Sequence, residues 1–430
     1  MSEKDESLLL RFSRILSTLV KKRNKEIGGN VMKMIQKKFA LWILLFNIFL
    51  NFLGISLVIP VMPTIMNELH ISGQVIGYLV ATFAFVQLLV SPIAGRWTDQ
   101  FGRKWMIIAG LIIFSLSQFL FGIGQNVGTL FVSRVFGGIS AAFMMPAVNA
   151  YIADITDVRS RPKAFGYMAA AINTGFIIGP GIGGFIAIFG HRVPFFVACA
   201  VSLIACVLSL ILLREPERNA ENKQVQISKT GFKKLLAPIF FIPFIIIFIS
   251  TFGVASFESL FSLFTNHKHG FTPRDIAIMI TGGAVIGAIF QVFLFDRFTL
   301  WWGEIRLIRY SLLFSIVLVF MMTVVETYVS IMFVTFTVFI GFDLMRPAVT
   351  NYLSKIAGDE QGFVGGMNSM FTSIGNVFGP LVGGMLYDMN LNYPFYFASL
   401  VLLIGLALTM FWKMPGEEKP IKKPSVHHGN

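Results

Sequence analysis

The chain has 430 residues, of which 55% are hydrophobic and only 13% charged. A soluble domain carries about a quarter charged residues, so this composition excludes a protein surrounded by water on all sides. The 35 Lys and Arg outnumber the 22 Asp and Glu, but the positives fall in alternate loops, as in a membrane topology, and no nucleic-acid partner is expected.

Residues 1–38 form an N-terminal extension. Its basic, weakly amphipathic piece LLLRFSRILSTLVKKRNK suits the anionic inner leaflet of a membrane. No long apolar core or small-residue cleavage site follows, so it is not read as a secretory signal. Gly28-Gly29-Asn30-Val31 just before Met32 is what a purine-rich ribosome-binding site would encode in frame. A natural start at Met32 or Met34 is therefore an equal expectation.

Crossing about 30 Å of hydrocarbon takes roughly 20 apolar residues. Such runs recur at 39–64, 73–95, 105–124, 128–152, 164–189, 193–213, 237–265, 273–295, 305–325, 328–353, 362–387 and 393–412. They predict an all-α membrane protein of twelve transmembrane helices. An even count puts both termini on one side. Lys37, Lys38, Arg96, Arg103, Lys104, Arg159, Arg161, Lys163, Lys229, Lys233, Lys234, Arg297, Arg306, Arg309, Lys355, Lys422 and Lys423 belong to that side, against Arg192, Lys268 and Arg274 opposite. Both termini are thus expected in the cytoplasm of a multi-pass cell-membrane protein. The polar stretch 214–236 reads as a cytoplasmic linker between six-helix halves at 39–213 and 237–413, with a tail at 414–430.

The halves resemble each other. Met145-Pro146-Ala147-Val148-Asn149-Ala150-Tyr151 in span 4 is echoed by Arg346-Pro347-Ala348-Val349-Thr350-Asn351-Tyr352 in span 10. Gly175, Gly179-Pro180 and Gly183-Gly184 in span 5 recur as Gly375, Gly379-Pro380 and Gly383-Gly384 in span 11. Six spans separate the copies, so the repeat is parallel, about an axis along the membrane normal, with substrate expected between the halves.

Gly95-Arg96-Trp97-Thr98-Asp99-Gln100-Phe101-Gly102-Arg103-Lys104 closes span 2. Its glycines allow a tight turn, and Asp99 can cap a helix or pair with an arginine. It resembles the loop 2–3 signature of the major facilitator superfamily, G-x-x-x-D-R-x-G-R-K, with Gln100 where arginine is usual. The resemblance implies that Asp99 and Arg103 belong to a latch favouring the outward-facing state. The matching loop of the second half, around Asp296-Arg297, is read as having lost the glycines.

Arg134 stands in the otherwise apolar span 4. A buried guanidinium is costly unless it meets a partner or water, so a function is the default. The segment is similar to the superfamily's span 4 motif, whose arginine is linked to proton transfer, and its partner is left open. Gly175 to Gly184, with Pro180 bending span 5, resembles the motif of antiporters rather than symporters, with Gly166 where alanine is usual. Close helix packing would also use such glycines.

Two acids interrupt apolar spans, Glu258 in span 7 and Asp343 in span 10. Asp343 and Arg346 are three apart and share a helical face, where they can pair. Desolvation and a nearby cation act oppositely on a carboxyl group, which suits holding either a proton or a cationic ligand. Gln87, Asn173, Gln291, Asn368 and Asn376 are polar candidates for a cavity wall. No G-x-x-x-x-G-K-[ST] loop occurs, so ATP is not expected to drive a cycle. The spacing of His191, His267 and His269 does not suggest a metal site. Cys199 and Cys206 lie too far apart on one helix to bridge. No cofactor, metal or enzymatic chemistry is expected.

From about Lys38 onward the chain resembles the NorA/Bmr-type multidrug–proton antiporters of Gram-positive bacteria. The resemblance is carried by Phe46-Asn47-Ile48-Phe49-Leu50, Gly54, Ile59-Pro60-Val61-Met62-Pro63, Phe165-Gly166-Tyr167-Met168, Gly179-Pro180-Gly181-Ile182-Gly183-Gly184 and Ile340-Gly341-Phe342-Asp343. It implies export of structurally diverse, often cationic or zwitterionic amphiphiles, fluoroquinolones and dye-like cations among them, in exchange for protons; a monomer in the lipid bilayer is expected. On that resemblance Glu258, Asp343 and Arg346 bind and couple, and Phe52, Ile59, Gln87, Asn173, Phe176 and Asn376 line the pocket. Export of one dedicated metabolite, and a lipid flippase or transporter-like sensor without proton coupling, stand as the alternatives.

Overall fold

The computed structural model describes residues 39–157, 160–216, 238–356 and 361–412. The expected extension 1–38 with Met32 and Met34, most of the linker 214–236 and the tail 414–430 lie outside them. So do Lys37, Lys38, Arg159, Lys229, Lys233, Lys234, Lys422 and Lys423 of the topology argument.

Among the described residues the elements are helical throughout. In chain order they are α1 (Phe39–Leu69), α2 (Gly73–Phe101), α3 (Arg103–Ile123), α4 (Val127–Ile155), α5 (Arg161–Ile186) and α6 (Val193–Leu212). There follow α7 (Pro238–His269), α8 (Pro273–Trp302), α9 (Glu304–Val324), α10 (Tyr328–Ile356), α11 (Gln361–Met389) and α12 (Tyr393–Met410). Eleven described helices are long and apolar enough to cross a bilayer, and α11 is a further helix of 29 residues.

The expected spans all appear, with three informative shifts. α1 is not continuous: a turn at Leu57 and Val58 is followed by a 3-10 turn over Ile59–Val61 and a new helix over Met62–Leu69. Pro60 and Pro63 lack the amide hydrogens that an unbroken helix would require. α2 and α8 run to residues 101 and 302, beyond the expected 95 and 295. Each ends at a single glycine that opens the next helix, Gly102 with φ 98° and Gly303 with φ 74°. The left-handed conformation reverses the chain in one residue at little cost only for glycine. The second half has therefore kept its turning glycine, contrary to the sequence reading. The offset of 201 residues that carries Pro146 onto Pro347 carries Gly102 onto Gly303, so the matching loop lies just beyond Asp296-Arg297.

The chain forms two compact units. One gathers residues up to 71 with 82–224 and 270–281; the other gathers 72–81, 225–269 and 282–430. The first ten residues or so of α2 and α8 thus belong to a different unit from the rest of their helices.

In the first unit α3 lies along α4 and α6 around Ile48, Ile107, Leu111, Ala147, Val148 and Ile152. Lipid is as apolar as leucine, so helices in a membrane associate through close contact and interhelical hydrogen bonds. Ser117 and Ser133 each donate to the other's backbone carbonyl, at 2.8 and 2.7 Å. Ser140 and Ser202 donate to Gly110 and Leu111 of α3, both at 2.8 Å. In the second unit α9 packs on α10 and α12, and α7 on α11 and α12. Rings at Phe257, Phe264, Phe342 and Phe395 interlock there.

The repeated glycines hold matching seams. A Cβ at Gly183 would lie 1.8 Å from the Leu57 carbonyl oxygen, and one at Gly175 would lie 2.9 Å from that of Phe49. α5 thereby rests directly on the α1 backbone. Gly375 and Gly379 meet Phe248, Phe252 and Ser256 of α7 in the same manner. Pro146 and Pro347 each stand nineteen residues into their 29-residue helices.

Candidate functional site

Glu258 and Asp343 owe their proximity to their apolar neighbours. Phe257 meets Phe342 edge-on, with ring centroids 5.6 Å apart, which fixes α7 against α10 one residue before each acid. Asp343 and Arg346 both act electrostatically on Glu258, so the three ionisable groups form one cluster in the second unit. Glu258 and Arg346 are exposed and Asp343 is half-buried, although each lies well inside its helix. Charged side chains at mid-membrane face water or one another rather than lipid, and these three act on one another through Glu258. The pairing of Asp343 with Arg346 suggested by their spacing does not form: among the described residues no ion pair joins them, and the electrostatic partner of Arg346 is Glu258. Sharing a helical face brings two side chains near each other, but the neighbouring helix decides which groups interact.

In the first unit Arg134 stacks on the Phe121 ring, 4.4 Å from its centroid, and Phe121 in turn stacks on Phe195 at 4.6 Å. A ring face offers the guanidinium a partial negative charge without a carboxylate. Its Nη2 is buried and has no hydrogen-bond partner among the described residues. Of the expected lining residues, Phe52 and Phe176 touch, with centroids 5.2 Å apart. Asn173 and Asn376 are exposed on their helices, while Ile59, Gln87 and Gln291 are half-buried.

At the loop 2–3 end the expected latch residues meet. Arg103 pairs with Asp99 at 3.1 Å and with Asp154 at 2.9 Å, and donates to the Thr98 carbonyl. A Cβ added at Gly95 would have open space for 4 Å around it, whereas one at Gly102 would strike the Glu215 carboxylate. The Glu215 carboxylate accepts from the amides of Arg103 at 2.6 Å and Lys104 at 3.0 Å, which satisfies the free N–H groups that open α3.

Asp154 and Glu215 escape sequence reasoning, although the repeat holds the signal for the first. The 201-residue offset carries Arg103 onto Glu304 and Asp154 onto Lys355. Glu304 and Lys355 form an ion pair, joined by Asn351 at 3.0 Å. The same two positions are thus bridged in both units with the charges exchanged. Gly175, Gly179, Gly183 and Gly184 belong to helix seams, and Gly184 meets Pro273 and Ala277 at the start of α8; Pro180 is buried inside α5.

The family model described as Major Facilitator Superfamily matches residues 44–366 and 312–428. The chain is similar to Multidrug resistance protein 1 of Bacillus subtilis (strain 168), 67% identical over 386 residues that cover 90% of this chain and 99% of that one. It is 44% identical over 373 residues to the Quinolone resistance protein NorA of Staphylococcus aureus (strain MRSA252), covering 87% and 96%. Among solved structures, an inward-facing, unoccupied bacterial homologue of the human lysosomal transporter Spinster gives a TM-score of 0.75 at 18% identity, over 87% of this chain and 96% of that one. The nucleoside transporter NupG gives 0.73 at 13%, over 87% and 98%. At those identities the structural likeness speaks for the fold alone.

Proposed function

Because the chain belongs to the major facilitator superfamily, we propose that it is a multidrug exporter that expels amphipathic, often cationic or zwitterionic compounds in exchange for protons. Relatives named for multidrug and quinolone resistance support drug efflux. The observation that supports proton exchange is the cluster of Glu258, Asp343 and Arg346, two acids and an arginine acting on one another inside membrane helices.

Deprotonated, the two carboxylates attract a cationic drug and Arg346 tempers their mutual repulsion. Alternating access then turns the site to the other side of the membrane. Protons there displace the drug, and the neutral carboxyls let the empty carrier return. A proton moving down 100 mV supplies about 2.3 kcal/mol, enough for about a fiftyfold gradient of an electrically neutral drug. Arg134, held on Phe121 rather than by an acid, is the group in the first unit available to a carboxylate of a zwitterion or to the proton path. Phe52, Ile59, Gln87, Asn173, Phe176 and Asn376 supply an adaptable wall. Both termini and the Asp99–Arg103 latch face the cytoplasm in this reading, and the chain works as a monomer without cofactor.

The test uses inverted membrane vesicles with an imposed proton gradient, following ethidium or norfloxacin uptake by wild type, Glu258→Gln and Asp343→Asn. Gradient-dependent uptake that both substitutions abolish is expected. Folded wild type without gradient-dependent uptake would redirect attention to a dedicated metabolite. Lipid movement insensitive to Glu258→Gln would favour a flippase.

A further inference from the structure

The sequence of α8 around its middle, Gly282-Gly283-Ala284-Val285-Ile286-Gly287, contains no ionisable group, and none occurs anywhere between Ile276 and Phe295. Its glycines face a ladder of α10 side chains. A Cβ at Gly282 would lie 2.5 Å from the Phe336 ring, and one at Gly283 would lie 2.4 Å from the Phe339 ring. One helical turn further, a Cβ at Gly287 would lie 2.0 Å from Oδ2 of Asp343, 3.0 Å from its Cγ and 3.2 Å from the Phe339 carbonyl oxygen. Phe336, Phe339 and Asp343 follow the three-then-four spacing of one helix face. Two rungs of this ladder are aromatic rings, and the third is a carboxylate fitted into the space that the missing side chain of Gly287 leaves.

We propose that Gly287 is a positioning residue for Asp343: the slot at Gly287 sets where the Asp343 carboxylate sits, and thereby how it takes up protons and cationic drugs. This rests on the proton-exchange reading of Asp343 given above. Alanine at 287 displaces chiefly the carboxylate, because a carboxylate tip moves more cheaply than a helix, while the Phe339 carbonyl oxygen at 3.2 Å gives by only a few tenths of an ångström. The surroundings give the displacement consequences. α7 presents Glu258 to this region, and α10 itself carries Arg346. α9 keeps Glu304, Arg306 and Arg309 toward the end where Glu304 meets Asn351 and Lys355, and α11 has no ionisable side chain between Val364 and Leu386. A carboxylate leaving the slot therefore changes its distance to one acid and one arginine and its access to water, with α8 offering only backbone. Gln291, one turn beyond Gly287, is the next polar side chain on that face of α8 and carries no charge.

Gly283 supplies the internal control. It makes a comparably close contact on the same helix, but with a ring that carries no titratable proton. A purely structural role for these glycines predicts that both positions respond alike.

The experiment measures tetraphenylphosphonium binding to purified full-length protein across pH, and its uptake into inverted vesicles. Wild type, Gly287→Ala, Gly283→Ala, Asp343→Asn and the Gly287→Ala/Asp343→Asn double variant are compared. Gly287→Ala is expected to move the pH midpoint of binding by about half a unit or more and to lower uptake about tenfold, since small displacements of a reacting group have effects of that order. Gly283→Ala is expected to keep the wild-type midpoint. The double variant is expected to match Asp343→Asn alone, because the glycine acts only through the carboxylate. A Gly287→Ala midpoint equal to that of wild type, or a double variant worse than Asp343→Asn, would overturn the proposal. Wild-type pH dependence in Asp343→Asn would instead sink the proton-exchange reading itself. Should Gly287→Ala not accumulate in the membrane, Asp343→Glu replaces it. Its longer side chain cannot seat its carboxylate in the slot, and an unshifted midpoint there would equally refute the role of Gly287.

Discussion

At the scale of single residues, burial separates two ion pairs that otherwise correspond. Arg103 and Asp154 are 9% and 3% exposed at their side chains, whereas Lys355 is 60% exposed against Glu304. Removing one member of a buried pair leaves a charge without partner or water, at a cost of about 3–5 kcal/mol. An exposed pair contributes about 1 kcal/mol or less. Thermal unfolding of purified variants should therefore show a large loss for Arg103→Ala and a small one for Lys355→Ala. Arg134 offers a second contrast. Phe121→Leu keeps an apolar neighbour but removes the ring face, and about 1–2 kcal/mol of cation–π stabilisation should go with it. Comparing that variant with Phe121→Leu/Arg134→Leu in a double-mutant cycle measures the coupling, and additivity would show that the ring and the guanidinium do not interact. Glu258, Asp343 and Arg134 are legible in the sequence because a charge in an apolar run declares itself. Asp154 and Glu215 are not, because they stand at span ends, where charges are ordinary, and only their contact with α3 sets them apart.

At the scale of elements, the glycines divide by what lies opposite them. Gly183 faces the Leu57 carbonyl oxygen at 1.8 Å from a would-be Cβ, while Gly95 and Gly166 face nothing within 4 Å. Gly183→Val should push α5 off α1 and reduce folded protein to a trace in size-exclusion profiles. Gly95→Ala and Gly166→Ala should be neutral or stabilising by up to about 1 kcal/mol, from the helix preference of alanine. Helix starts differ as well. α8 is capped by its own residues, the Asp275 carboxylate accepting from the Thr272 hydroxyl at 2.6 Å and from the Thr272 amide at 3.0 Å. α2 adds to its own weak cap, the Ser72 hydroxyl accepting from the Val75 amide at 3.4 Å, the Asp388 carboxylate of α11, which accepts from the amides of Gly73 at 2.7 Å and Gln74 at 3.0 Å. Asp388→Ala should thus cost about 1 kcal/mol and raise hydrogen exchange at residues 73–77 without a matching change at 273–277. The repeated Gly-Pro and Gly-Gly pairs can be read along the chain, yet whether each glycine serves motif, turn or seam depends on which helix lies across from it. The second turning glycine, Gly303, is hidden for a related reason: matching the copies on their acids, rather than on their prolines, places the loop too early in the chain.

At the scale of the whole molecule, the loop charges make a topological statement that labelling can test. In a background without Cys199 and Cys206, a membrane-impermeant maleimide added to intact cells should modify Asn390→Cys and leave Asp157→Cys untouched until the membrane is opened, both positions being exposed. The reverse pattern would place the Asp99–Arg103 end outside and overturn the proposed direction of export. The helical membrane class, the run of apolar spans, the internal repeat and the ionisable groups Arg134, Glu258 and Asp343 are all legible along the chain. These follow from composition and spacing, which lipid imposes on each segment separately through the need to bury apolar side chains and satisfy every backbone amide internally. Tertiary structure alone decided that Arg346 answers to Glu258, that Arg134 rests on a ring, that charge-exchanged pairs bridge matching positions, and that Gly287 makes room for Asp343. Each of these depends on which faces two helices turn toward each other, and that is fixed by close packing over many residues rather than by any pattern within one span.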